Sequence, residues 1–122
     1  MATFTNRFTA QEAPLTPPSF LTEQEVGRIF DKAMAALKDV TYYCIVENVT
    51  ARNAALETAK TLLDYLSQAI DADETDIEAD NMRNLLQFLI YSLETVKKRN
   101  NPAAAQEALA LLAPVRDAYM SA

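Results

Sequence analysis

Carboxylates are the only plentiful reactive groups in this sequence. Its 122 residues hold 17 Asp and Glu, a single Cys and no His. The densest acidic run is Asp71-Ala72-Asp73-Glu74-Thr75-Asp76, continuing to Glu78 and Asp80. A calcium loop beginning at Asp71 requires Gly at its sixth position and Glu at its twelfth. Asp76 and Met82 stand there, so the run reads as a solvated loop leading into a helix. Carboxylate-bridged metal bundles need Glu-x-x-His pairs, and zinc sites need imidazoles or several thiolates; neither set exists. Cys44 has no imidazole base to activate it, and the lone Gly27 cannot build a phosphate-cradling loop. No pair of carboxylates sits in an apolar run that would tune it for acid–base work. These residues point away from an enzyme, and from any metal or cofactor.

Charge narrows the partners. The formal net charge is −6, whereas nucleic acids and anionic membranes select basic surfaces. Lys97-Lys98-Arg99 is the one dense basic cluster, at a predicted helix end where cations complement the macrodipole. Cys44 has no intrachain partner for a disulfide. No apolar run approaches the ~20 residues of a membrane span, and Met1-Ala2-Thr3-Phe4 lacks the start of a secretory signal. The expectation is a cytoplasmic protein that neither inserts into membranes nor binds nucleic acid.

With chemistry set aside, the elements come forward. Pro14, Pro17 and Pro18 exclude helix and favour extended backbone, so residues 1–21 read as an arm and a stiff hinge. Residues 22–122 read as one domain. Thr22-Glu23-Gln24-Glu25 is a capping box, with Leu21 and Val26 placed for a hydrophobic staple. Val26, Ile29, Phe30, Ala33, Leu37, Val40 and Cys44 follow as one helical stripe, to about Glu47. Asn48 to Thr50 turns the chain. A second helix to Ile70 carries Leu56, Ala59, Leu62, Leu63, Leu66 and Ala69 or Ile70. Thr75 and Glu78 form a second capping box. The third helix carries Met82, Leu85, Leu86, Leu89, Leu93 and Val96, and Asn100-Asn101-Pro102 ends it. Asn101 as N-cap and Pro102 in the first turn open a fourth helix, with Ala105, Ala108, Leu109, Leu112, Val115 and Tyr119 on its stripe. Pro114 deletes one backbone bond inside that helix, which predicts a kink. Short connections between four helices predict an all-α, antiparallel up-and-down four-helix bundle with an extended N-terminal arm.

Several apolar side chains exceed what one stripe per helix can bury. Met34, Tyr42, Tyr43, Ile45 and Val46 on the first helix, Tyr65 on the second, and Phe88, Ile90 and Tyr91 on the third are surplus. Two readings account for them. A central helix can be apolar over a wide arc, or the surface can take up amphipathic partner segments.

The order of residues resembles the FliS family of flagellar export chaperones. Ile29-Phe30-Asp31-Lys32-Ala33 stands where that family reads Leu-(Tyr/Phe)-Asp-Gly-Ala. Thr58-Ala59-Lys60-Thr61-Leu62-Leu63-Asp64-Tyr65-Leu66, ending in Ile70-Asp71, parallels its Lys-Ala-x-x-Ile-Ile-x-x-Leu pattern ending in Leu-Asp. Ala79-Asp80-Asn81-Met82-Arg83-Asn84-Leu85-Leu86 echoes Ala-x-Asn-Leu-x-x-Leu-Tyr, and Asn100-Asn101-Pro102 matches the polar turn before the last helix. Thr22 replaces a usual Pro, Lys32 a Gly, Leu86 a Tyr and Tyr119 a Trp, and the Gly-Gly pair before the third helix is absent. The resemblance implies a cytoplasmic, non-enzymatic chaperone that wraps the disordered C-terminal segment of flagellin around its bundle. It would thereby prevent premature polymerisation and support delivery to the type III export gate. On this reading Met34, Tyr42, Tyr43, Val46, Tyr65, Phe88 and Tyr91 bind the client. The family's N-terminal segment covers part of that surface when flagellin is absent, a role that would fall to Phe4 and Phe8. The chain would be a monomer or weak homodimer. The alternative is a self-associating structural or co-chaperone bundle in the same export system.

Overall fold

The computed structural model describes residues 22–70 and 77–121. The arm with Phe4 and Phe8, and Thr75 of the second capping box, lie outside the described residues. Five helical segments follow in order: α1 (Glu23–Ile45), α2 (Val49–Ile70), α3 (Ile77–Ser92), α4 (Glu94–Arg99) and α5 (Ala103–Ser121). The architecture is the predicted all-α four-helix bundle, with α3 and α4 as consecutive segments of its third helix.

α1 begins where the sequence places it. The Glu25 amide donates to Thr22 Oγ1 (3.1 Å) and the Thr22 amide donates back to Glu25 Oε1 (2.9 Å). This reciprocal pair satisfies two of the amides that a helix start leaves without partners. α1 ends two residues earlier than Glu47, in a six-residue closure. Asn48 N–H donates to the Tyr43 carbonyl and Glu47 N–H to the Cys44 carbonyl, with Glu47 itself at φ 59°. That is the bonding pattern of a Schellman C-cap. Asn48 Oδ1 then accepts from the Ala51 amide (3.1 Å) and opens α2. At the other reversal Asn100 takes the left-handed position (φ 49°, ψ 41°). Asn101 Oδ1 next accepts from the Ala103 amide (2.9 Å) as the expected cap of α5. Both described reversals are made without glycine; Gly27 lies instead inside α1, against the Met120 side chain of α5.

The third helix is not continuous. At Leu93 the ladder tightens, with Val96 N–H donating to the Leu93 carbonyl. The Ser92 and Thr95 hydroxyls donate to the Leu89 and Ser92 carbonyls (both 2.9 Å). Hydroxyls that compete for helix carbonyls bend a helix, and two of them flank this break. α5 runs through Pro114, whose ring is exposed.

α1 packs most extensively on α2 and next on α5, and α2 packs on α3, while α3 and α5 touch sparsely. α1 and α3 therefore lie on one diagonal of the bundle, α2 and α5 on the other. Neighbours run antiparallel. Ser67 meets Gln87 and Lys60 meets Glu94, so α2 rises as the α3–α4 arm falls. Asp31 pairs with Arg116, and Gly27 backs onto Met120, in the same sense for α1 and α5. The core is continuous and aliphatic around Phe30: Val26, Leu37, Leu56, Leu63, Leu66, Leu86, Leu89, Leu93, Val96 and Leu112 are all at most 1% exposed. Ile29, Met82, Leu85, Leu109, Val115 and Tyr119, all on the predicted stripes, are half-buried at its margin. Among the described residues, no helix is long and apolar enough to cross a membrane.

Candidate protein-binding surface

The expected binding residues separate by burial. Tyr91 (77% exposed), Tyr42 (58%), Phe88 (54%) and Val46 (47%) present apolar surface to solvent. Met34 is half-buried and packs against the core. Tyr43 is half-buried, and its ring meets that of Tyr42 edge-on at 5.2 Å between centroids. Tyr65 is also half-buried; burial pushes its hydroxyl above the ordinary tyrosine range, helped by the Glu25 carboxylate. Of the other surplus residues, Ile45 is exposed (67%) and Ile90 half-buried. Met34 and Ile90 are partly buried and pack against the core. The exposed four, with Ile45, leave apolar surface uncovered.

That surface forms two patches. Tyr42, Tyr43 and Val46 lie in the last turn of α1 and its cap. Phe88 and Tyr91 are three residues apart on α3, hence on one face. Gln87 Nε2 donates to Ser67 Oγ (2.8 Å) and so marks the flank of α3 facing α2. One residue further, about 100° round the helix, Phe88 is turned away from α2. Because α1 and α3 are diagonal, the patches do not merge. A single ligand reaches both only by passing around the bundle.

Sequence reasoning missed the polar centre beside the first patch. Arg52 is buried (4% exposed) although charged. Its Nε and Nη2 donate to Asn53 Oδ1 (3.2 and 2.8 Å), and its Nη1 donates to Asn100 Oδ1 (2.8 Å). Asn100 Nδ2 in turn donates to the Cys44 carbonyl (3.4 Å). This network ties the end of α1, the start of α2 and the end of α4. A signal for it exists: Arg52 stands four residues before Leu56 and so extends the α2 stripe by one turn. Cys44 is buried here as a small hydrophobe; burial raises its thiol above the ordinary range, against the lowering field of Arg52. A second bridge joins Lys60 to Glu94 and, within α2, to Glu57. The bond to Glu94 holds the Lys60 ammonium above its usual range and the Glu94 carboxyl below its own.

Among the described residues no group of three or more Cys, Asp and Glu side chains could hold a metal ion. Glu57, Thr58, Thr61 and Leu62 line a shallow surface depression on α2. What the fold offers is exposed apolar surface on an all-α bundle. Comparison with known families places it further. The family model for flagellar protein FliS matches residues 22–122, and the chain belongs to that family, a family of flagellar export chaperones rather than of known enzymes. No curated protein and no solved structure matches it.

Proposed function

We propose that this chain is a cytoplasmic chaperone, without enzymatic activity, for the disordered C-terminal segment of flagellin. It holds the segment as helices wrapped around the bundle, prevents premature polymerisation and presents the client to the type III export gate. The observation that carries this reading is the pair of exposed apolar patches on diagonal helices of a FliS-family bundle. A partner that folds in place suits them better than a rigid one, because it can follow the surface from one to the other.

The energetics favour a long contact. Covering the remaining exposed halves of Tyr42, Val46, Phe88 and Tyr91 contributes about 1 kcal/mol each. Ordering a disordered segment costs roughly 2–5 kcal/mol or more, so one patch alone leaves little net affinity. Both patches, with the exposed edges of Met34, Tyr43 and Tyr65, are needed. The arm fits the same surface: Phe4 and Phe8, beyond the proline hinge, cover it until the client displaces them, which limits aggregation.

Co-expression with a flagellin C-terminal fragment, followed by co-purification, tests the reading. Capture of the fragment by the full chain is expected, with Phe88→Asp and Tyr43→Asp weakening it at unchanged helicity. Deleting residues 1–18 tightens capture or increases binding of a hydrophobic dye; no change in either rules out the competing arm. Failure to capture any host flagellin, together with concentration-dependent sedimentation of the chain alone, favours the self-associating bundle instead.

A further inference from the structure

Four of the six large apolar side chains exposed among the described residues fall in one short stretch: Tyr42, Ile45, Val46 and Val49. They surround the reversal between α1 and α2. The same end of the bundle carries the last turn of α4, where Lys97, Lys98 and Arg99 are exposed. Asn100 joins the two groups, following Arg99 directly and bonding the carbonyl of Cys44, one residue before Ile45. None of the three cations is in an ion pair among the described residues. Arg52 adds a fourth positive charge, and its hydrogen bonds go to the amide oxygens of Asn53 and Asn100. Against them stand Glu47 in the turn and Glu94, which Lys60 holds most strongly and whose carboxyl also feels Lys97 and Lys98. In a chain of net charge −6 this end is a positive island.

Cations in the last turn of a helix are explained by its dipole. The dipole does not explain aliphatic side chains left exposed beside them, or a buried arginine whose hydrogen bonds go to amide oxygens. An apolar patch rimmed by charge is the form of a contact surface, and the sign of the rim selects its occupant. We propose that this end of the bundle docks a helical, acidic, amphipathic segment of a partner protein. Its apolar face lies on Tyr42, Ile45, Val46 and Val49, and its carboxylates lie against Lys97, Lys98 and Arg99. The inference rests on the reading of exposed apolar groups as protein-binding surface. It extends that reading to Ile45, Val49 and the basic rim. The net negative charge of the chain disfavours an anionic membrane as the occupant.

The probe is a fluorescein-labelled helical peptide of about 18 residues, five turns, with Leu and Phe on one face and Glu along its borders. A control peptide carries Lys in place of every Glu. Fluorescence anisotropy is read on the full chain. The Glu peptide binds, and weakens as salt rises; the Lys peptide binds at least about tenfold more weakly. Ile45→Glu with Val49→Glu, and separately Lys97→Glu with Lys98→Glu, each cost about tenfold or more, at unchanged circular dichroism. Phe88→Asp, which weakens flagellin capture, leaves this binding unaltered, so the two readings fail separately. Equal binding of both peptides, or no binding, overturns the proposal. So does loss on Phe88→Asp alone, or preferential binding to phosphatidylserine vesicles. Concentration-dependent sedimentation abolished by Lys97→Glu with Lys98→Glu also overturns it, by making a second copy the occupant.

Discussion

At the scale of single residues, the least predictable finding is that a charged side chain completes the apolar stripe of α2. Arg52 occupies the place of another leucine and is kept there by neutral amide oxygens. Its long stem lets it fill a core-edge position while its fork reaches polar atoms. The spacing of Arg52 before Leu56 was legible; its acceptor Asn100, forty-eight positions away, was not, because a tertiary partner leaves no local pattern. Arg52→Ala is expected to lower unfolding free energy by about 1–3 kcal/mol in urea titration, through lost packing and lost charge-assisted bonds. A double-mutant cycle with Asn100→Ala should show coupling of about 1 kcal/mol. Additive effects would mean that the two residues act separately. The exposed aromatic residues were easier to find. Phe88 and Tyr91 fall off the stripe of α3, and the helical period alone put them outside the core.

The elements divide by how local their causes are. The Thr22–Glu25 box and the Asn101 cap are contained within four residues, and both form as the sequence implies. The break at Leu93 was not legible, because the stripe through Leu89, Leu93 and Val96 continues unbroken across it. Only the hydroxyl bonds of Ser92 and Thr95 disclose it. The reversal at Glu47 is another such case: a glutamate in left-handed backbone costs on the order of 1 kcal/mol. Glu47→Gly should therefore stabilise the chain by about 0.5–1 kcal/mol, read as a raised Tm. A lowered Tm would show that the glutamate side chain contributes more than its backbone strain costs. Between elements, the Lys60–Glu94 bridge gives stability a pH dependence of definite sign. The Glu94 carboxyl is held below its ordinary value of 4.5, so its contribution is present above that value and is lost as pH falls through the lowered one. The Lys60 ammonium is held above 10.5, so its contribution is present below that and fades as pH rises through the raised value. Glu94→Gln should flatten part of the acid limb of a stability–pH profile and leave the neutral plateau only slightly lower.

At the scale of the whole molecule, the placement of the patches matters more than their size. A compact ligand could cover Tyr42 and Val46, or Phe88 and Tyr91, but helices on a diagonal expose their outer faces in opposite directions. A wrapped segment gains from tethering, since its second contact forms at high effective concentration. Dividing the flagellin C-terminal fragment in two should therefore leave each half binding roughly a hundredfold more weakly or worse than the whole by titration calorimetry. Halves that together match the intact fragment would exclude a single wrapped ligand. The pairing of helices was legible from short connections, whereas the sparse α3–α5 seam was not. Ala105, Ala108 and Leu112 announce a buried face on α5 without saying which neighbour covers it, and α5 packs chiefly on α1.

The single thiol gives the bundle an internal reporter of its own opening. Cys44 is buried in the core at the junction of α1, α2 and α4, and burial raises its thiol above the ordinary range, which disfavours the reactive thiolate. A soluble disulfide reagent can reach it only during excursions that part these three segments. When closing outpaces capture, the labelling rate measures the population of that opened state. Because no other cysteine competes for the reagent, each partner that clamps this end would register as slower labelling, without any tag or added probe.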